Sequence, residues 1–105
     1  MAYGADLIPI QVFTRVNDPD SCDDEPSCEL SYDSATVAAL NHVINLTSSF
    51  SIAATNMSLG SELTNTACDN NVHKTAIDTL RDLGVLTTIA AGNAEAVGSV
   101  ENPGC

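Results

Sequence analysis

This chain of 105 residues contains three short apolar segments, separated by more polar stretches. They cover residues 6–13, 52–58 and 85–91, and each is rich in β-branched or small apolar side chains. Runs of this length and composition predict β-strands, and strands this apolar are typical of sheets covered on both faces. Because Pro9 cannot donate a backbone hydrogen bond, the first strand is expected at an edge or with one side unpaired.

Two amphipathic helices are predicted between these segments. Val37, Leu40 and Ile44 recur at helical spacing and indicate a helix over residues 34–46. A second helix over residues 72–83 is indicated by an apolar face, an ion pair four residues apart and a terminal glycine. These markers are Ala76, Leu80, Leu83, Lys74, Asp78 and Gly84. The order strand, helix, strand, helix, strand predicts an α/β fold, an open parallel sheet with right-handed βαβ crossovers.

Length and charge exclude several classes of protein. A chain of 105 residues has the size of one domain, which excludes a two-domain enzyme with a cleft between domains. Lys and Arg number 3 against 14 Asp and Glu, so the net charge is −11 and no basic surface is available for nucleic acid or an anionic membrane. No apolar run approaches the roughly 20 residues that span a bilayer. The first residues lack a secretory signal, so any export signal is expected outside this sequence.

Four cysteines indicate the redox environment. None of them forms the close pair of a zinc knuckle, which favours disulfides over metal ligation. A disulfide between Cys22 and Cys28 would pin a very short loop, whereas Cys68 with Cys105 would close a long one and stabilise the fold by about 4 kcal/mol. The pairing stays open at this point, as does the alternative of four reduced thiols in a cytosolic protein. We predict an oxidising compartment and a secreted or extracellular protein.

Residues 14–31 predict a long acidic loop closed by cysteines. Turn-forming residues dominate this stretch, and it holds six of the 14 acidic residues. Clustered carboxylates can bind Ca²⁺, but the stretch lacks the glycine and the register of an EF-hand. We therefore expect a solvated acidic loop and no cofactor, with Ca²⁺ binding by this loop as the alternative.

Two short loops follow the second and third predicted strands. In open α/β sheets, ligands bind outside the carboxyl ends of the strands, so both loops are expected at the ligand-binding edge. The second loop contains Gly92 followed by Asn93, whose side-chain amide could donate to a developing oxyanion. Gly-Asn is also a common turn dipeptide, and that simpler interpretation applies without further context.

Residues 56–60, Asn-Met-Ser-Leu-Gly, are followed by the second helix and then by Ala-Ala-Gly-Asn at residues 90–93. This order and spacing resemble the middle section of the subtilisin-like serine peptidases. Residues 4–13 are similar to the strand that follows the histidine helix in that family. The resemblance implies a three-layer, subtilisin-like fold, of which residues 1–105 would be a partial domain.

The resemblance also implies roles for individual residues. Asn93 matches the oxyanion-hole asparagine of the family. One short segment matches the strand that pairs with the substrate backbone and forms a wall of the primary specificity pocket, and a second matches the opposite wall. These segments are Ser58, Leu59 and Gly60 (the Ser-Leu-Gly segment) and Ala90, Ala91 and Gly92 (the Ala-Ala-Gly segment). Leu30 and Ser31 fall where the family has its other substrate-pairing edge.

The chain departs from the family in lacking the catalytic triad. The Asp-Ser/Thr-Gly, His-Gly-Thr-His and Gly-Thr-Ser-Met-Ala motifs are all missing. His42 and His73 are not expected to act as general bases, because no serine or cysteine of the chain lies in a motif that would present it as a nucleophile. His42 is expected in solvent and His73 at the apolar edge of the second helix. The resemblance implies a fragment of a secreted endopeptidase that binds polypeptide substrate and is inactive alone. The alternative is a non-catalytic binding or interaction domain that has lost the active site.

The resemblance has a topological consequence. In the family, the strand that carries the catalytic Asp lies between the strands that match residues 6–13 and 52–58, and this chain omits it. The omission predicts either a gap in the sheet or a new pairing of the first two strands. Because unpaired strand edges invite association, we expect that the isolated chain repacks or forms a homodimer.

Overall fold

The computed structural model describes residues 3–105. The chain divides into two compact units, residues up to Ala39 and Leu40–Cys105. The strands are β1 Phe13–Val16, β2 Cys28–Ser31, β3 Ala54–Met57, β4 Leu63–Thr64, β5 Leu86–Ile89 and β6 Val100–Glu101. The helices are α1 Asp33–Leu46 and α2 Lys74–Asp82, with a single 3-10 turn at Pro19–Ser21. Helix α1 begins in the first unit and ends in the second.

The first unit contains an antiparallel hairpin. β1 pairs with β2, with Phe13 opposite Ser31 and Val16 opposite Cys28. The acidic residues lie in the connection between the two strands, where Pro19 starts the 3-10 turn and a disulfide joins Cys22 to Cys28. The prediction of one long loop over residues 14–31 therefore holds only for its middle, because both ends of that stretch pair with each other as strands.

The predicted strand over residues 6–13 is wrong except at Phe13, where β1 begins. Residues 6–12 form no helix or strand, and most of their apolar side chains are open to solvent, with Leu7 90% and Ile8 48% exposed. A strand needs a neighbouring backbone for its hydrogen bonds, and within residues 3–105 no strand pairs with this segment. An apolar, β-branched composition is therefore not sufficient to form a strand here.

The second unit is built on a parallel strand pair. β3 pairs with β5 in a register that sets Ala54 opposite Leu86 and Met57 opposite Ile89. Helix α2 lies between them in the chain, as parallel strands require a crossover connection. The protein is thus a mixed α/β structure with small sheets that include a parallel pair, and both strands fall inside the ranges predicted for them.

The core of the second unit joins both helices to this pair. The buried side chains are Leu40, Val43, Met57, Ala76, Leu80 and Val85. Leu80 of α2 is completely buried, as the apolar stripe of that helix predicts. Leu83 was expected on the same face but is 51% exposed, because α2 ends at Asp82 and Gly84 turns the chain with a φ of +81°.

The strands β3 and β5 are covered on one face only, which corrects the expectation of strands buried on both. Thr55 and Met57 face the core side, whereas Ala54 and Asn56 are exposed. On the exposed side the Thr88 hydroxyl donates to Asn56 Oδ1 at 3.0 Å. The described part of the chain therefore leaves one polar sheet face open to solvent.

A third pairing completes the second unit. β4 and β6 are antiparallel, with Leu63 opposite Glu101 and Thr64 opposite Val100. A second disulfide joins Cys68 to Cys105, so both cysteine pairs considered from the sequence are present. Disulfides are compatible with an extracellular protein. No helix among the described residues is long and apolar enough to cross a membrane.

Candidate functional site

The Ser-Leu-Gly and Ala-Ala-Gly segments leave the sheet at the same edge. Because β3 and β5 are parallel and in register, their carboxyl ends are neighbours. The Ala90 N–H donates to the Met57 carbonyl at 3.1 Å, which extends the ladder one residue beyond β5. The residues that follow Met57 and those that follow Ile89 are therefore brought together, as the sequence predicts for the two strand-end loops.

The backbone of residues 100–102 forms hydrogen bonds to both sides of this arrangement. The Glu101 N–H donates to the Ala91 carbonyl at 2.9 Å. One residue later, the Asn102 carbonyl accepts from the Ser61 N–H at 2.9 Å, directly after the Ser-Leu-Gly segment. The chain from β6 thus links the Ala-Ala-Gly segment to the residue that follows Gly60.

The side chain of Glu101 lies between the two segments. Its Oε1 accepts a hydrogen bond from the Asn93 backbone N–H at 2.8 Å. A Cβ added at Gly60 would collide with Glu101 Oε2, and one added at Gly92 would collide with the carboxyl carbon and Oε1. Glycine at both positions makes room for the carboxylate, so the two segments border one acidic group.

Glu101 was not singled out from the sequence. It stands next to Val100 in a stretch with no recognisable motif, and a lone glutamate has no local signal that would place it near Gly60. Its position depends on the β4–β6 pairing, which joins residues more than thirty positions apart. Two-residue strands have too few side chains for a periodic pattern, so the signal that would have found it is missing.

Asn93 lies at the exposed end of the Ala-Ala-Gly segment. Gly92 precedes it with a φ of +103°, a conformation that side-chain-bearing residues rarely adopt. The turn is therefore specified by glycine, and the Glu101 carboxylate holds the Asn93 backbone. The backbone of Asn93 is thereby held at the sheet edge that was predicted to bind a ligand.

Hydrogen bonds and packing also anchor the Ser-Leu-Gly segment. The Asn56 Nδ2 donates to the Ser58 hydroxyl at 2.8 Å, and Asn56 is in turn held by Thr88 of β5. Leu59 is partly buried against the hydrophobic core. The segment is thereby fixed at its start by polar contacts and in its middle by apolar ones.

His73 lies in a buried network immediately before α2, whereas the sequence predicted it within the first turn of that helix. It is 2% exposed and precedes the first residue of α2. Its Nδ1 is 2.7 Å from Asn71 Oδ1, which also accepts from the His73 backbone N–H at 2.8 Å. Asn71 Nδ2 donates to the side chain of Asn102. These contacts give His73 a structural position, whereas His42 is exposed, as predicted.

The remaining candidate residues belong to other elements of the chain. Leu30 and Ser31, considered for a second substrate-pairing edge, belong to β2 of the first unit. Within residues 3–105, no group of three or more His, Cys, Asp or Glu side chains is arranged to hold a metal ion. In the acidic connection of the hairpin, the Ser21 hydroxyl donates to Asp18 Oδ2 at 2.7 Å.

Comparisons with known proteins do not extend this description. No protein-family model matches the chain, and neither curated proteins nor solved structures give a significant match.

Proposed function

We propose that this chain is the central segment of a secreted subtilisin-like serine endopeptidase, and that it supplies the oxyanion donor and part of the substrate cleft. The observation that carries the proposal is the meeting of the Ser-Leu-Gly and Ala-Ala-Gly segments at one edge of a parallel strand pair, with Asn93 directly after the Ala-Ala-Gly segment. In the proposed three-layer domain, further strands and helices of the parent protein complete the sheet. The chain alone is inactive, because it carries none of the three triad motifs.

The proposed chemistry follows from the position of each group. An extended substrate would add its backbone to the Ser-Leu-Gly segment, as a further strand does at a sheet edge. A serine from another part of the parent attacks the scissile carbonyl, and a histidine from the parent accepts its proton. The Asn93 side-chain amide then donates to the oxygen on which negative charge develops. This chain therefore provides binding and electrostatic stabilisation, and the parent provides the nucleophile.

The unpaired edge of β3 supports the proposal that the parent protein supplies a neighbouring strand. Among the described residues β3 pairs only with β5, so its second edge carries unpaired backbone groups. In the family that the sequence resembles, the strand that carries the catalytic Asp lies on this side. We propose that the corresponding strand of the parent occupies this edge.

The secreted location is supported by the two disulfides. Such bonds persist in oxidising compartments and are rare in the cytosol.

The role of Asn93 is tested in the full-length parent with Asn93→Ala. We expect kcat for a peptide substrate to fall about 10²- to 10³-fold, with the unfolding midpoint nearly unchanged, because the side chain is exposed and acts on the transition state. Asn65→Ala is the matched control, since Asn65 is also an exposed asparagine in a connecting segment. An unaltered kcat in the Asn93 variant would rule out the oxyanion role.

A second candidate is a non-catalytic binding domain with the same sheet. The observation that favours it is the lack of all three triad motifs, together with the burial of His73 against Asn71. Sequencing the coding region on both sides of this chain separates the two. Flanking Asp, His and Ser motifs support the peptidase, whereas a start at Met1 and a stop after Cys105 support the binding domain.

A further inference from the structure

We propose that Glu101 makes the pocket between the Ser-Leu-Gly and Ala-Ala-Gly segments select a lysine or arginine side chain of the substrate. This inference rests on the proposed function, because it names the substrate class of the same cleft. The observation behind this inference is that the Glu101 carboxylate lies between Gly60 and Gly92.

The two oxygens of Glu101 have different surroundings. Oε1 is the atom that accepts from the Asn93 N–H and lies toward Gly92. Oε2 lies toward Gly60, which has no side chain to cover it. One oxygen thus holds the carboxylate in place, and the other is directed to the opposite segment.

The basic side chains of this unit are already paired. Lys74 Nζ lies 2.8 Å from Asp78, and Arg81 Nη1 lies 3.0 Å from the same carboxylate. Within residues 3–105 the Glu101 carboxylate forms no ion pair, and the hydrogen bond that it accepts comes from the neutral backbone amide of Asn93. A cation that reaches the two segments would therefore meet a half-buried carboxylate whose charge no side chain of residues 3–105 neutralises.

The lining of the pocket suits a long side chain with a charged end. The side chain of Glu101 fills the space next to Gly60 and Gly92. Ala90 and Ala91 beside it present little bulk, so the stem of a lysine or arginine would lie along these small residues with its charged end at the carboxylate. A guanidinium or ammonium group at the end of that stem would donate to Glu101, and charge-assisted bonds of this kind are the stronger ones. An acidic substrate side chain would meet like charge, and the net charge of −11 would disfavour its approach as well.

A purely structural role is the competing explanation for Glu101. By accepting from the Asn93 N–H, its side chain could serve only to hold the turn after Gly92. Glu101→Gln separates the two explanations, because glutamine retains the acceptor oxygen and the size of the side chain but removes the charge.

The test measures binding of two acetylated and amidated tripeptides, Ala-Ala-Arg and Ala-Ala-Leu, to the 105-residue chain by amide chemical shifts in NMR titrations. We expect Ala-Ala-Arg to bind about tenfold more tightly and to shift the amides of Gly60 and Gly92. Glu101→Gln should remove that preference, while Glu95→Gln, which loses the same charge from an exposed position, should keep it.

The other outcomes of the titrations would overturn either the cleft itself or only its selection of a basic side chain. If neither peptide shifts the amides of residues 58–60 and 90–92, the cleft is absent and both the proposed function and this inference fail. If both peptides bind equally, or if Glu101→Gln keeps the preference for arginine, the cleft stands and only the selection by Glu101 is wrong.

Discussion

Position 92 requires glycine for two independent reasons. Its backbone has a φ of +103°, where a Cβ causes strain in any L residue. The side chain of Glu101 also occupies the space into which that Cβ would project. The Gly-Asn dipeptide is therefore more than a turn signal, because its first residue also accommodates the acidic side chain of Glu101, nine residues further along the chain.

Gly92→Ala should lower the free energy of unfolding by about 2–4 kcal/mol, since it adds a steric collision to the backbone strain. Gly98→Ala is the matched control. Gly98 has a φ of +78° but no heavy atom within 4 Å of an added Cβ, so it should lose only about 1–2 kcal/mol. Urea unfolding of the three proteins provides the comparison. Equal losses in the two variants would mean that Glu101 moves aside without cost.

Helix α2 shows how one element combines a buried and a charged face. Ala76 and Leu80 pack into the core, while Lys74, Asp78 and Arg81 lie along the outer face. Asp78 is in contact with both cations, at positions four residues before it and three after. Pairs at these spacings are neighbours on a helix surface, so sequence spacing alone is enough to predict them.

The hydrogen bond from Lys74 lowers the pKa of Asp78 below its ordinary value of 3.8, and the charges of Lys74 and Arg81 act in the same direction. A carboxyl group with a lowered pKa in the folded state stabilises the fold above its unfolded pKa, and this contribution is lost as the pH falls through the folded pKa. Asp78→Asn should therefore reduce stability at neutral pH, and the difference from the unaltered protein should shrink below about pH 4.

Urea midpoints recorded from about pH 7 down to about pH 2 measure this effect. Asp82→Asn is the control on the same helix, because its contact with Arg81 is longer at 3.6 Å. It should change the pH dependence less than Asp78→Asn does. A pH-independent difference between the unaltered protein and Asp78→Asn would contradict the assignment.

At the scale of the whole molecule, the open edge of β3 lies in a two-stranded sheet. The chain also exposes apolar side chains in its N-terminal segment, including Leu7 and Ile8. Direct pairing of the first two predicted strands, one of the two outcomes considered from the sequence, does not occur among residues 3–105. The unpaired edge therefore remains available to another chain.

We expect the isolated chain to form a homodimer through the β3 edge as its concentration rises. Light scattering over a range of concentrations measures this association. Ala54→Lys should weaken it, because a lysine on an exposed edge strand opposes strand addition. Ser48→Lys, at an exposed position after α1, is the charge-matched control and should associate as the unaltered chain does. A monomer at all concentrations would exclude the dimer.

Local patterns were sufficient where a segment carried its own periodicity. Both helices and the strands β3 and β5 lie within one residue of the predicted ranges or inside them, because apolar spacing and terminal glycines act over a few neighbouring residues. The pairs Cys22–Cys28 and Cys68–Cys105 could be named from spacing but not chosen over the alternatives. The proximity of residues 58–60 to residues 90–92 also followed from parallel pairing.

Tertiary structure decided what depends on distant partners. The segment at residues 6–12 has the composition of a strand, yet it stays unpaired because a strand forms only beside another backbone. The two-residue strands β4 and β6 carry no pattern of their own, and their pairing is what carries Glu101 to Gly60 and Gly92. The sequence by itself thus determined the helices, the parallel pair and the Gly-Asn turn, since these depend on local chemistry. Only the folded chain decided which charge lies beside Gly60 and Gly92, because the contact with Gly60 joins residues that local periodicity cannot relate.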